Sequence, residues 1–208
     1  MSLHNATADV VFTNLSGFRL YLGPISAVQN AEYLRSIDCK HVVTVLQDPV
    51  DLPPGIERHH VPIKDNNEER MAPYFVDTVE QIGTWIASRN NVLVHCSSGI
   101  SRSSTVVLAF LVAQAGFRLL EAFKHVFEQR PVIQPGTIFF EDLQQWELET
   151  QGVTEPSMSM AEYYACKVLS INRSGGGSAS YEVCLAAVQE FGWANDYALI
   201  QTLQRVQL

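Results

Sequence analysis

Asn91-Val92-Leu93-Val94-His95-Cys96-Ser97-Ser98-Gly99-Ile100-Ser101-Arg102-Ser103-Ser104-Thr105 is the stretch on which the reading of this chain turns. Val92 to Val94 are aliphatic and mostly β-branched, the composition of a buried strand. An apolar pattern at helical spacing resumes after Ser101, so the polar residues between form a strand-to-helix loop. Gly99 lets such a loop turn consecutive backbone N–H groups inward, where they meet the positive end of the following helix. Ser97, Ser98, Gly99, Ile100, Ser101 and Arg102 are therefore the candidate lining of an anion cradle.

Cys96 opens the loop and Arg102 stands in the first helical turn, where its planar fork can fold back onto two oxygens of a phosphate. The same field of amides, helix end and guanidinium favours a thiolate, which makes Cys96 a candidate nucleophile. Ser103 can hydrogen-bond the sulfur and improve it as a leaving group. Displacing an alkoxide or phenoxide also needs a proton donor. Asp65 is the first candidate, since it follows the Arg58–Ile63 strand and heads a polar loop; Glu68 and Glu69 compete, nearer the start of the next helix. The ring of His95 is expected to point away from the cradle and to support the loop through its carbonyls.

Outward from this stretch, Val10–Phe12 and Phe18–Leu22 read as short strands, and a helix is expected near Ala27–Ile37. His41–Leu46 and Arg58–Ile63 read as further strands. Helices are expected over Tyr74–Arg89, Ser103–Ala115 (apolar nearly all round, hence buried), Leu119–Gln129 and Phe139–Thr150. This alternation predicts an α/β fold with a central, mostly parallel sheet flanked by helices, and its ligand at the carboxyl ends of the strands. Residues 10–150 are expected to form the catalytic domain. Residues 151–208 are read as a helical C-terminal extension or a small three-helix module behind a linker at Gly152–Ser159. Its faces are Tyr164, Val168 and Ile171, then Tyr181, Cys184, Val188 and Phe191, then a helix capped by Asn195 with Ile200, Leu203 and Val206.

Composition narrows the function. The chain has 208 residues, 47% hydrophobic and 17% charged, and a net charge of −8. Net acidity argues against a nucleic-acid or anionic-membrane partner. Cys39, Cys96, Cys166 and Cys184 show no metal-ligand spacing, so neither metal nor cofactor is expected. No basic and apolar leader is visible, which together with a reactive thiolate predicts the cytoplasm or nucleus.

His95 to Ser103 resembles the signature of the dual-specificity branch of the cysteine-dependent protein tyrosine phosphatases. Leu20-Tyr21-Leu22-Gly23 is similar to that family's entry segment and Ile63-Lys64-Asp65 to the strand end bearing its general acid. Arg130 to Pro135 and Phe140-Glu141-Asp142-Leu143 are similar to its closing helix region. The resemblance implies a phosphatase acting on phosphotyrosine and phosphoserine or phosphothreonine through a phosphocysteine intermediate, with Cys96, Arg102, Asp65 and Ser103 as the catalytic set. Ser98 and Gly136-Thr137 depart from the family pattern at the pocket rim. The loop lacks the lysines common in relatives acting on inositol phospholipids. Three alternatives stay open: a non-catalytic phosphoprotein-binding module, a phosphoinositide phosphatase, and an RNA 5′-phosphatase. Residues 160–208 are a candidate surface for a protein partner.

Overall fold

Val92, Leu93 and Val94 are fully buried because strand β5 (Asn91–His95) runs through the middle of the sheet. The computed structural model describes residues 7–66, 68–192, 202, 205 and 206. Its strands β1 (Asp9–Thr13), β2 (Arg19–Gly23), β3 (Cys39–Val45), β4 (Glu57–Val61) and β5 lie in the order β1-β2-β5-β3-β4. β1 pairs antiparallel with β2, and every other pairing is parallel. A strand with parallel neighbours on both edges and helices on both faces must be apolar throughout, as β5 is. β4 stops at Val61, before Pro62, which has no N–H to give a ladder.

One face of the sheet is covered by two short helices, α1 (Ile25–Gln29) and α2 (Ala31–Ser36). The continuous helix expected near Ala27–Ile37 is broken at Asn30. Asn30 takes an extended conformation, and its side chain accepts the Tyr33 N–H to start α2, the ordinary behaviour of Asn as an N-cap. Ala27, Val28 and Leu34 pack there with Tyr21, Val42 and Leu93.

Four helices cover the other face: α3 (Ala72–Ala87), α4 (Arg102–Gln114), α5 (Leu119–Gln129) and α6 (Thr137–Gln151). Every residue of α4 from Ser103 to Val112 is buried, since α3, α5 and α6 surround it and the sheet lies beneath. α6 ties the group together with two buried carboxylates. Asp142 accepts the Met71 and Ala72 N–H groups at 2.7 and 3.2 Å and Arg70 Nη1 at 3.0 Å. It thus caps α3, whose own N-cap residue, Met71, makes no side-chain hydrogen bond. Glu147, fully buried, accepts the Leu119 N–H at 3.0 Å and Arg118 Nε at 2.6 Å, at the start of α5. Each carboxylate meets orphan amides at the positive end of another helix.

The chain divides into two compact units, residues 1–156 and 157–208. In the second, helices α7 (Met160–Ser174) and α8 (Tyr181–Phe191) pack through Ala165, Val168 and Leu169 against Cys184, Ala187 and Val188. The apolar face of α7 is therefore rotated from the one the sequence suggested. Ile171 is 41% exposed and Tyr164 half-buried, while Ala165 and Leu169 are inside. Asn195, Ile200 and Leu203 of the third expected helix lie outside the described residues, whereas Val206 is described and joins this core.

Replacing Asp142 by Ala strands two helix-end amides and leaves Arg70 with Glu141, 3.2 Å away. The expected cost is roughly 2 kcal/mol, or a fall in Tm of roughly 4–8 °C for a chain of this size. Calorimetry of the variant checks this, and an unchanged Tm refutes the capping role.

Candidate active site

The loop between β5 and α4 gets its shape from the outside. The Ser97 carbonyl accepts the Ile25 N–H at 3.1 Å and the Ile100 carbonyl accepts the Gln134 N–H at 2.8 Å. Arg130 donates to the two between them, from Nη2 to the Ser98 carbonyl at 2.9 Å and from Nε to the Gly99 carbonyl at 2.8 Å. Four consecutive carbonyls held outward turn the intervening amides inward. Gly99 adopts φ +70°, and a Cβ there would lie 2.7 Å from the Gly23 carbonyl and 2.9 Å from Arg130 Nη2. Only glycine accommodates both the left-handed backbone and this approach to the end of β2. Arg130 is itself fixed by Asp9, 2.7 Å from Nη1.

Cys96 lies on the floor of the cradle, 1% exposed. Burial alone pushes its thiol pKa up. The Ser103 hydroxyl, 3.2 Å from the sulfur, and the backbone N–H groups of Ser103, Ile100 and Gly99 outweigh it, so the pKa falls below the ordinary thiol value. These donors are oriented before any negative charge arrives, which is why they favour the thiolate.

His95 is fully buried behind the loop. Burial, followed by the charges of Arg58 and Arg102, lowers its pKa to about 4, so the ring is neutral. Nδ1 lies 3.2 Å from the Cys96 carbonyl and Nε2 2.9 Å from Thr44 Oγ1. A carbonyl can only accept, so Nδ1 carries the proton and Nε2 accepts the Thr44 hydroxyl. Thr44 on β3 is thereby linked to the backbone of Cys96, the residue that follows β5.

Over the mouth of the cradle, Arg102 Nη2 donates to Ser97 Oγ at 3.1 Å and Nη1 to the Ile63 carbonyl at 3.4 Å. Its Nε faces Asp65 Oδ2 at 3.4 Å and makes no hydrogen bond. Asp65 Oδ1 accepts the Ser101 hydroxyl at 2.6 Å. The structure thus brings Asp65 to the same loop as Cys96, Arg102 and Ser103. Glu69 is engaged elsewhere, accepting the Lys64 N–H at 2.8 Å. Glu68 is exposed beside it, its N–H held by Asn66. Both lie in the loop before α3. Asp9 and Thr44 were not singled out by sequence, and Arg130 only as the start of a family-like segment, without a role in the loop: the arginine acts on carbonyls brought to it from thirty-odd positions away. Among the described residues no three His, Cys, Asp or Glu side chains converge as metal ligands would.

A mostly parallel sheet with an amide cradle at the carboxyl end of its central strand, holding a cysteine and an arginine, defines a cysteine-dependent phosphatase architecture. Residues 20–149 match the family model described as dual specificity phosphatase, catalytic domain, and the chain belongs to that family. It is 34% identical over 132 residues to human dual specificity protein phosphatase 4, covering 62% of this chain but 33% of that protein. The chain thus spans about a third of the length of that relative. Dual specificity protein phosphatase 1 of Arabidopsis thaliana is 34% identical over 134 residues, covering 64% of this chain and 67% of the relative. Among solved structures, human DUSP28 superposes with a TM-score of 0.64 at 28% identity, covering 69% of this chain and 95% of that one.

Two titrations follow from these environments. Alkylation of Cys96 by iodoacetamide should reach half its maximal rate at a lower pH than alkylation of a free cysteine measured alongside. Ser103→Ala should move that midpoint up, and a wild-type midpoint at or above the free-thiol value would contradict the amide field. For His95 the folded pKa lies below the unfolded one, so between pH 6.5 and about 4 the unfolded chain binds a proton that the folded chain refuses. Its contribution is present above pH 6.5 and is lost as pH falls through that window, amounting to roughly 3 kcal/mol in full. Urea unfolding at pH 7 and pH 4.5 should show a smaller acid loss in His95→Asn than in the wild type.

Proposed function

We propose that this chain is a protein phosphatase that hydrolyses phosphotyrosine and phosphoserine or phosphothreonine through a phosphocysteine intermediate. The observation that carries the reading is the convergence of the Ser103 hydroxyl and three backbone N–H groups on the Cys96 sulfur. A buried cysteine in a merely structural role has no use for four donors.

In the proposed reaction the amides of residues 97–102 take the phosphoryl oxygens and the Arg102 fork turns from Ser97 to two of them. The Cys96 thiolate attacks phosphorus in line, forming the S–P bond as the P–O bond to the substrate breaks. Asp65 gives its proton to the departing oxygen. Water then attacks phosphorus, Asp65 takes the water's proton, and the sulfur leaves as thiolate with Ser103 donating to it. The amides and guanidinium act on charge spread over equatorial oxygens, the usual source of stabilisation in phosphoryl transfer.

Residues 10–150 are assigned as the catalytic domain and 151–208 as a helical extension, with 160–208 offered to a protein partner. A phosphoprotein substrate suits an acidic chain with no lysine between Cys96 and Arg102 better than an RNA end or an inositol phospholipid does. A reducing compartment, cytoplasm or nucleus, suits a thiolate nucleophile.

Side-by-side assay of phosphopeptides, phosphoinositides, 5′-phosphorylated RNA and nitrophenyl phosphate tests this reading. Cys96→Ser should abolish turnover yet still bind phosphopeptide, and Arg102→Lys should lose most activity because an ammonium has no fork. Asp65→Asn should cost roughly 10²-fold on a phosphoserine peptide and far less on nitrophenyl phosphate, whose leaving group needs little protonation. Phosphopeptide binding with no turnover of any substrate by the wild type would instead make the chain a recognition module.

A further inference from the structure

Ser101 stands between the two loops that the reaction needs together. The residue is 8% exposed, and its carbonyl is held by the hydroxyls of Ser104 and Thr105 at 2.7 and 2.9 Å. Its backbone is therefore fixed at the start of α4. The Ser101 hydroxyl oxygen accepts the Gly136 N–H at 3.1 Å. An amide N–H can only donate, so this contact uses a lone pair and leaves the hydroxyl proton to point elsewhere. It points to Asp65 Oδ1, at 2.6 Å.

Asp65 has no comparable support of its own. Its side chain is 39% exposed and follows β4 in irregular backbone. Its other contact is the charge of Arg102 at 3.4 Å, which a bound phosphoryl group would compete for. Once Arg102 turns to the substrate, the Ser101 hydroxyl remains as the described contact that keeps Asp65 at the cradle.

We propose that Ser101 is a positioning residue for Asp65: anchored by the Gly136 N–H, its hydroxyl pins Oδ1 so that Oδ2 is the oxygen that exchanges the proton with the leaving group. In the first step the proton on Oδ2 passes to the departing oxygen as the S–P bond forms. In the second Oδ2 takes a proton from water as the new O–P bond forms and the S–P bond breaks. The inference deepens the phosphatase reading and rests on it. It also gives Gly136 a role through its backbone: the N–H that orients Ser101.

The test compares Ser101→Ala and Ser101→Thr on a phosphoserine peptide and on nitrophenyl phosphate, in the wild-type and Asp65→Asn backgrounds. Ser101→Ala should lower kcat/KM about tenfold on the peptide and less than about twofold on the aryl ester, because only the poor leaving group needs the proton. Ser101→Thr, which keeps the hydroxyl, should retain activity. In the Asp65→Asn background Ser101→Ala should cost nothing more, since a residue acting through another is non-additive with it. Equal losses on both substrates, or a fully additive loss, would overturn the proposal while leaving the phosphatase reading intact. A wild type that turns over neither substrate would remove the catalytic reading. Hydrogen exchange over residues 64–70 then decides on Ser101 alone: faster exchange in Ser101→Ala but not in Ser101→Thr supports the tether, and unchanged exchange refutes it.

Discussion

Four carbonyls forced outward are the constraint on which the site depends. Ile25, Arg130 and Gln134 hold the oxygens of Ser97 to Ile100 from outside, and a peptide unit whose oxygen points out must present its N–H inward. Left-handed Gly99, pressed on Gly23, makes the turn possible. The cradle is thus preorganised before any anion enters, so binding need not bear the cost of ordering dipoles. The lowered pKa of Cys96 follows from the same geometry, because donors aimed at a phosphoryl group reach the sulfur beneath it as well.

Such a loop needs a rigid platform on both sides. β5 supplies one through parallel pairing with β2 and β3, and α4 supplies the other by being buried on all sides. α4 can be that apolar only because its neighbours are pinned, and α6 does part of the pinning by lending Asp142 and Glu147 to the ends of α3 and α5. A carboxylate buried against a helix N-terminus faces a partial positive charge that its own sequence neighbours do not provide. Residues far from the cradle therefore share in fixing where Cys96 and Arg102 stand.

On the open side the site is held by polar contacts rather than by packing. Asp65 is tied to Ser101 and faces Arg102; in the proposed reaction the contact with Arg102 is exchanged for the substrate and the tie to Ser101 is kept. In the proposed reaction, amides below and a carboxyl above divide the work: the floor holds charge, and the rim delivers a proton.

The sequence alone determined the architecture and the centre of the site, because both are written in local patterns. Val92 to Val94 followed by a polar loop with Gly99 and an apolar helix leave little freedom, and Cys96, Arg102 and Ser103 are neighbours along that one strand-loop-helix segment. The break at Asn30 was harder to see, since the apolar spacing runs through it and only the side-chain cap stops the helix. The turned face of α7 was decided by which neighbours it packs against. Tertiary structure decided what sequence separation hides: Arg130 on the outer carbonyls, Thr44 on His95, Asp142 and Glu147 on distant helix ends, and Ser101 between Asp65 and Gly136. Each of these is a directional hydrogen bond between residues with no periodic relation in the chain. Periodicity reports which side of an element is apolar, whereas the partner of a single polar atom is set only when the folded backbone brings the two within about 3 Å.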